Sequence, residues 1–392
     1  MPIIKSLVIK NIFLFSSTLL IPLLTLSQST TFNNNGGDNL WSNNANWSNG
    51  VANDAAAKVT LNADPILDIN ATVAQIKIAS SGPNGVTITN QSDAALTITG
   101  RGVNQPIQIN KNTTSLTFNL PVIFDSSEDA VETMRFNSGN IIITFGMGHS
   151  LTLNDKLLVT AVNNNNTLNI NGSLLGSANL NLGAKCNVFF GPESNNSAYA
   201  GSIRPTAVDV EITANTSDNG TFVKSGASLD IQNTGAIITV NGSNTLKGNI
   251  LVGDYNPTLN INASKNNAGL ITMGSGTLKL VLAEDVNSMA FADNSSSDWG
   301  TGNLAITGAI DNEVSFGTNA SGITLAQLSK ITLSGSSVDI NSEGKLSIAG
   351  SNNGNVVSES TFTNGGGNNL WSDASNWSAG IPNISTAKVT LE

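Results

Sequence analysis

One phrase recurs along this chain and decides the class of structure it can form: an apolar residue, a polar one, a second apolar one, then Asn, Gly or Ser. Examples are Val86-Thr87-Ile88-Thr89, Leu116-Thr117-Phe118-Asn119, Leu151-Thr152-Leu153-Asn154, Leu168-Asn169-Ile170-Asn171 and Leu259-Asn260-Ile261-Asn262. Alternation with period two buries one face of a strand and exposes the other, so each phrase predicts a short β-strand. Between phrases lie Gly, Asn, Ser and Asp, which accept the turn conformations that branched residues resist. A new phrase begins about every 8 to 12 residues, a spacing that fits either a β-sandwich array or a solenoid of stacked coils.

Three observations favour the all-β parallel β-helix, a β-solenoid. The phrase runs from Lys58 to about residue 350 without a helical pattern, a length that outgrows one sandwich. Asn is abundant beside the strands, as in Asn163-Asn164-Asn165-Asn166, and stacked Asn side chains can hydrogen-bond from coil to coil. Aromatic residues make up only 5% of the chain, which suits a narrow core of Val, Ile and Leu. With about 20 to 25 residues per coil and ~4.8 Å per coil, the body would form roughly 12 to 15 coils and a rod about 60 to 70 Å long.

A second feature gives the chain its organisation. Thr31 to Leu61 returns as Thr361 to Leu391, with every number raised by 330 and 19 of the 31 positions identical. Trp41 falls on Trp371 and Trp47 on Trp377, so four of the five tryptophans sit in these two copies. The chain therefore divides into a leader at 1–29, a Trp-rich N-terminal cap and module start at 30–57, a solenoid body at 58–350, and a linker with the opening of a second module at 351–392. That second opening stops barely past its first strand, which reads as a fragment or truncated reading frame.

In the leader, Lys5 and Lys10 precede an apolar run through Leu24, and Ser27-Gln28-Ser29 closes it. This is the layout of a secretory signal peptide; the competing reading is an uncleaved membrane anchor. One cysteine, Cys186, permits no intramolecular disulfide, so burial and hydrogen bonding must stabilise the fold. The net charge of −10 opposes counterion release from nucleic acid and excludes DNA and RNA as partners.

Few residues invite chemistry. Asp125, Glu128, Asp129 and Glu132 form the one dense acidic group; it could supply oxygen ligands for calcium, or be a solvated loop with Arg135 as its charge partner. The spacing matches no calcium loop, and the second reading is preferred. His149, the only histidine, lies in a Gly-flanked turn without a nucleophile motif near it and reads as a turn residue. Cys186 reads as a small core residue. Trp41, Trp47 and Trp299 could form a sugar-stacking platform, but stapling the cap to the first coil fits them better. The pairs Thr87/Thr89 and Thr97/Thr99 are scattered and share no obvious register. The segments 125–132, 191–196 and 283–299 interrupt the pattern and read as loops protruding from the rod.

Gly36-Gly37-Asp38-Asn39-Leu40-Trp41-Ser42, with Asn46-Trp47-Ser48-Asn49-Gly50 and Asn53, resembles the module starts of large secreted bacterial β-solenoid proteins of the autotransporter-passenger or adhesin type. Pro is common there where this chain has Ala52, and Pro382 restores it in the second copy. Phe291-Ala292-Asp293, Trp299, Ser315-Phe316-Gly317-Thr318 and Gly322-Ile323-Thr324-Leu325-Ala326-Gln327-Leu328 resemble their closing segments. The resemblance implies a secreted or outer-surface structural role, adhesin-like and non-enzymatic, contacting polysaccharide or a neighbouring cell surface. The chain would be a monomer or part of a longer array, and the resemblance carries over no catalytic residue. The alternatives are a polysaccharide-acting enzyme of the pectin-lyase-like β-helix class and a carbohydrate-binding module.

Overall fold

A computed structural model describes residues 28–126, 132–163, 165–308, 313–349, 359–371, 374–378 and 388–391. The leader sequence therefore lies outside the described residues, apart from Gln28 and Ser29. The chain forms a parallel β-solenoid of about 13 turns. Two long sheets form most of the wall, one of eleven strands from Ser29–Phe32 to Ile271–Met273 and one of fourteen from Ile66–Leu67 to Leu346–Ile348, and a third side is built in two pieces of five and three strands.

The alternation produces this shape directly. In the fourteen-stranded sheet, Val86, Leu116, Ile143, Leu168, Val188, Ile212, Ile238, Leu259, Leu280, Ile306 and Leu333 stand in one register, each paired with the next. All of them are buried. Each such side chain stabilises the stack by about 1.5 to 3 kcal/mol, which is how a chain without disulfides holds together. Phe118 and Phe145, in the adjacent inward column, stack at 5.1 Å and 8°. Cys186 is in the core as expected, and burial raises its thiol to about 12.

Asn serves the solenoid in two ways. Outward Asn side chains form ladders, such as Asn262 to Asn241 to Asn215 at 2.9 and 2.6 Å. Inward, fully buried Asn166, Asn196, Asn266 and Asn294 accept backbone N–H groups of the preceding coil. They satisfy donors at corners where no strand partner is in place, groups that would otherwise be buried without a bond.

The two ends of the rod are built differently. At the N-terminal end the cap is itself the first coil, because Ser29–Phe32 pairs in parallel with Lys58–Leu61. That strand begins at Ser29, one residue inside the stretch assigned to the leader. Its outer edge is sealed by the chain folding back: Ser48 N–H donates to the Thr31 carbonyl at 3.0 Å, and Thr31 N–H donates to Ser48 Oγ at 2.9 Å. Asn33 N–H reaches the Asn46 carbonyl at 2.8 Å, so the backbone groups that could recruit another strand are engaged.

At the far end Ile331–Leu333 is followed by Ser336–Ile340 and Leu346–Ile348 in an antiparallel meander. Its first turn uses Ser334 and Gly335, both at positive φ of 51° and 84°, the geometry of a two-residue hairpin. Reversing the strand direction ends the parallel stack. The short helix Leu325–Leu328 carries a Thr324/Gln327 capping box, and Gln327 Nε2 donates to the carbonyls of Asn294 and Ser297.

Two of the three segments read as protruding loops are part of the wall. In 191–196, Ser194 and Asn196 are buried, and Asn195 bridges to Thr221. In 283–299, Ser288–Phe291 is a strand of the third side, and Val286, Asn294 and Trp299 are buried. Phe291 stacks on Phe316 at 4.9 Å.

Candidate functional site

Trp41, Trp47 and Trp299 offer no face to a sugar. Trp41 and Trp47 stand at the two ends of a turn containing the 3-10 helix Asn44–Asn46, and pack edge to face at 4.7 Å and 75°. Phe32 completes the triad, stacked on Trp41 at 6.4 Å and edge-on to Trp47 at 5.1 Å. Each indole N–H is spent inside: Trp41 donates to the Ala52 carbonyl, Trp47 to the Trp41 carbonyl and Trp299 to the Ile271 carbonyl. All three rings are buried. The sugar-platform alternative fails for these residues, since stacking needs an accessible face and these faces are covered by protein; the cap-stapling reading is corrected for Trp299, which packs on Phe316 at 6.0 Å, far from the cap.

The acidic group is partly visible. Glu128 and Asp129 lie outside the described residues. Asp125 is exposed and accepts from Asn154 Nδ2 at 3.2 Å. Glu132 opens the strand Glu132–Phe136 and points inward, only 3% exposed. Its carboxyl rests against Gly100, whose φ of +62° and missing side chain make the space. Burial, and then the neighbouring charge of Asp155, raises its pKa to about 7, which holds it largely protonated below neutrality.

Asp155 is the member that sequence reading missed. It sits one coil away from Asp125 and accepts the backbone N–H of Ser126. Arg135 is not the charge partner of Glu132. Three residues along a strand place it on the opposite face from Glu132, where it stands outward in register with Gln108 and Thr160. Among the described residues no three His, Cys, Asp or Glu side chains converge as a metal-binding group.

His149 follows Gly148, at φ +74°, and lines a shallow groove of about 370 Å³ together with Ser150, Ser173, Leu175 and Glu193. Ser150 and Ser173 are partners in adjacent coils, so the groove follows the wall and does not enter the core.

The outward face of the fourteen-stranded sheet forms a continuous surface. Thr87, Thr117, Thr144, Asn169, Phe189, Thr213, Thr239, Asn260, Val281 and Thr307 form one column over ten consecutive coils. Asn169 Nδ2 donates to Thr144 Oγ1, and Asn260 Nδ2 to Thr239 Oγ1, both at 3.2 Å. None of the ten is charged, although the chain carries −10 overall. Beside them runs a second column, Ser115, Ile142, Thr167, Asn187, Glu211, Ile237, Thr258 and Lys279, in which Ile142 and Ile237 are exposed. Thr87 thus shares a register with other threonines on this side, whereas Thr97 stands with Thr72 and Thr152 on the third side, so the pairs Thr87/Thr89 and Thr97/Thr99 share no common register, as expected.

No family model, no curated protein and no solved structure matches this chain.

Proposed function

We propose that this protein is a secreted or cell-surface, non-enzymatic structural rod that adheres through repeated shallow contacts along one flat side. The column from Thr87 to Thr307 carries this reading. At ~4.8 Å per coil its nine intervals span about 43 Å, and hydroxyl and amide groups predominate across the two columns, with exposed aliphatic carbon at Ile142 and Ile237 and charge at Glu211 and Lys279. That pattern complements a neutral, extended polysaccharide, whose rings have polar edges and apolar faces. Many weak contacts in fixed register add up without any deep pocket. A sealed N-terminal edge suits a rod that must stay soluble outside the cell, and the signal-like leader and the adhesin-type module starts point the same way.

The polysaccharide-cleaving alternative has one observation in its favour: Glu132, held protonated near Asp155, resembles one half of an acid and base pair. One experiment separates the two readings. The purified chain is applied to a polysaccharide array with and without calcium, and the same wells are assayed for new reducing ends or unsaturated sugars. Binding without product is expected, while product release would transfer the function to the acidic corner.

A further inference from the structure

We propose, resting on the reading of the flat side as a polysaccharide-adhesive surface, that Phe189 is the platform on which one sugar ring of the bound chain stacks, with Asn187 and Glu211 bonding that ring's edge. Phe189 stands outward in the strand Cys186–Phe190, in register with Asn169 on one side and Thr213 on the other. Among the described residues it is the one aromatic side chain at the outward positions of the fourteen-stranded sheet. Its inward neighbour Phe190 is fully buried and packs edge to face on Phe222 at 5.0 Å and 64°. Phe189 itself remains partly exposed. Side chains on a strand stand roughly perpendicular to the sheet, so a ring flanked by the shorter Asn169 and Thr213 rises above its column.

Beside the ring the wall is hollowed. A depression of about 240 Å³ is lined by Asn187, Asp209, Val210, Glu211, Gly235 and Ile237. Asn187, Glu211 and Ile237 are consecutive members of the neighbouring column, and Asn187 shares with Phe189 the outward face of one strand. Gly235, at φ +87°, leaves the outer rim open, since a side chain there would meet no atom within 4 Å. Ile237 is 37% exposed and lies two coils beyond Phe189, about 9.6 Å along the rod. The ring and this aliphatic side chain thus form two apolar platforms, and between them Glu211 and Thr213 present a carboxylate and a hydroxyl.

This arrangement selects among sugars. The face of an aromatic ring is electron-rich and attracts the slightly positive C–H groups of a pyranose. A β-linked glucose unit, whose hydroxyls are all equatorial, offers such C–H groups on both faces and its hydroxyls at the edge. Glu211 can accept from those hydroxyls, while Asn187 can both donate and accept. Charge narrows the choice further. Asp209 and Glu211 bring two carboxylates to the hollow, and its lining holds no lysine or arginine. A uronic acid or a sulfated sugar placed there would meet like charge without a counter-charge. The occupant is therefore a neutral, β-linked chain of glucose-type rings.

The test measures calorimetric binding of the full chain to cellohexaose, the β-1,4-linked glucose hexamer, and to the same hexamer oxidised to glucuronate at its primary carbons. Phe189→Thr installs the residue that the next coil carries in this column. Phe189→Leu keeps apolar bulk without a ring, and Phe189→Trp keeps a ring. The unaltered chain is expected to bind the neutral hexamer at least tenfold more tightly than the oxidised one. Phe189→Thr and Phe189→Leu should each weaken that binding at least tenfold, with circular dichroism unaltered. Phe189→Trp should bind about as well as the unaltered chain and show a blue shift of indole emission that the unaltered chain lacks. Binding by Phe189→Leu equal to that of the unaltered chain would mean that the ring only packs on the wall, and the proposal is overturned. It is overturned too, with the adhesive reading left standing, if cellohexaose fails to bind while another polysaccharide on the array does, or if the oxidised hexamer binds as tightly as the neutral one. Silence on every polysaccharide overturns both.

Discussion

Replacing Asn266 with leucine removes the acceptor of two buried donors at once. Asn266 is fully buried; its Oδ1 accepts the N–H groups of Thr245 and Leu246, each at 3.1 Å, and its Nδ2 donates to the Gly242 carbonyl at 3.3 Å. Leucine has nearly the same shape, so the change leaves little cavity and isolates the polar effect. A buried group left without a partner costs about 1 to 3 kcal/mol, so the two N–H groups together set an expected loss of roughly 2 to 6 kcal/mol. Asn241→Leu is the control. Asn241 accepts from Asn262 and donates to Asn215, but in an exposed ladder where water takes over the lost bonds, so about 0 to 1 kcal/mol is expected. Equilibrium urea unfolding gives the two values. Amide hydrogen exchange should place the loss at Thr245, Leu246 and the neighbouring coils, because contacts in a solenoid join nearest neighbours. Equal costs for the two variants, or a cost below ~1 kcal/mol at Asn266, would refute the assignment of buried Asn as the fastener of the coils.

Three further outcomes follow from the same geometry. Trp41→Ala, which empties a fully buried site and strands the Ala52 carbonyl, is expected to cost about 3 to 5 kcal/mol, and Trp371→Ala less than half of that, by urea unfolding. For Glu132 the folded pKa of about 7 lies above its ordinary 4.5, so stability is full below 4.5 and declines as pH rises through 7. The gap corresponds to about 3 kcal/mol at most, and Glu132→Gln should flatten the pH dependence between those values; an unchanged profile would contradict the buried, protonated carboxyl. Ser48→Pro deletes the N–H that donates to the Thr31 carbonyl, so the unsealed edge should yield oligomers in size-exclusion chromatography, whereas a strictly monomeric variant would show that the seal is dispensable.

The sequence announced the strands plainly because inward residues alternate with outward ones wherever both faces of the wall have fixed environments. It hid direction. Ile331-Thr332-Leu333 reads like every parallel strand before it, and only the Ser334-Gly335 pair signals the reversal. It also hid columns. Thr87 to Thr117 is 30 residues, Thr117 to Thr144 is 27 and Thr239 to Asn260 is 21, so coils of unequal length scatter a straight column along the chain. The same cause separated Asp155 from Glu132 by 23 positions although their charges interact. Ser288–Phe291 was read as loop because Ser, Met, Ala and Phe lack the apolar and Thr alternation, yet Met289 and Phe291 face the core. The tryptophans were ambiguous because scarcity marks an aromatic as valuable without saying whether packing or a ligand uses it; burial decides.

The most direct test of adhesion through the flat side is a pair of charge-insertion variants, measured against the polysaccharide bound most tightly by the unaltered chain. Thr117→Lys with Thr213→Lys alters the column on the fourteen-stranded sheet, and Thr97→Lys with Thr152→Lys alters the third side. With folding verified for both, the first pair should lose at least tenfold in affinity, about 1.4 kcal/mol, while the second binds as before. Equal losses, or a loss confined to the second pair, would contradict the account.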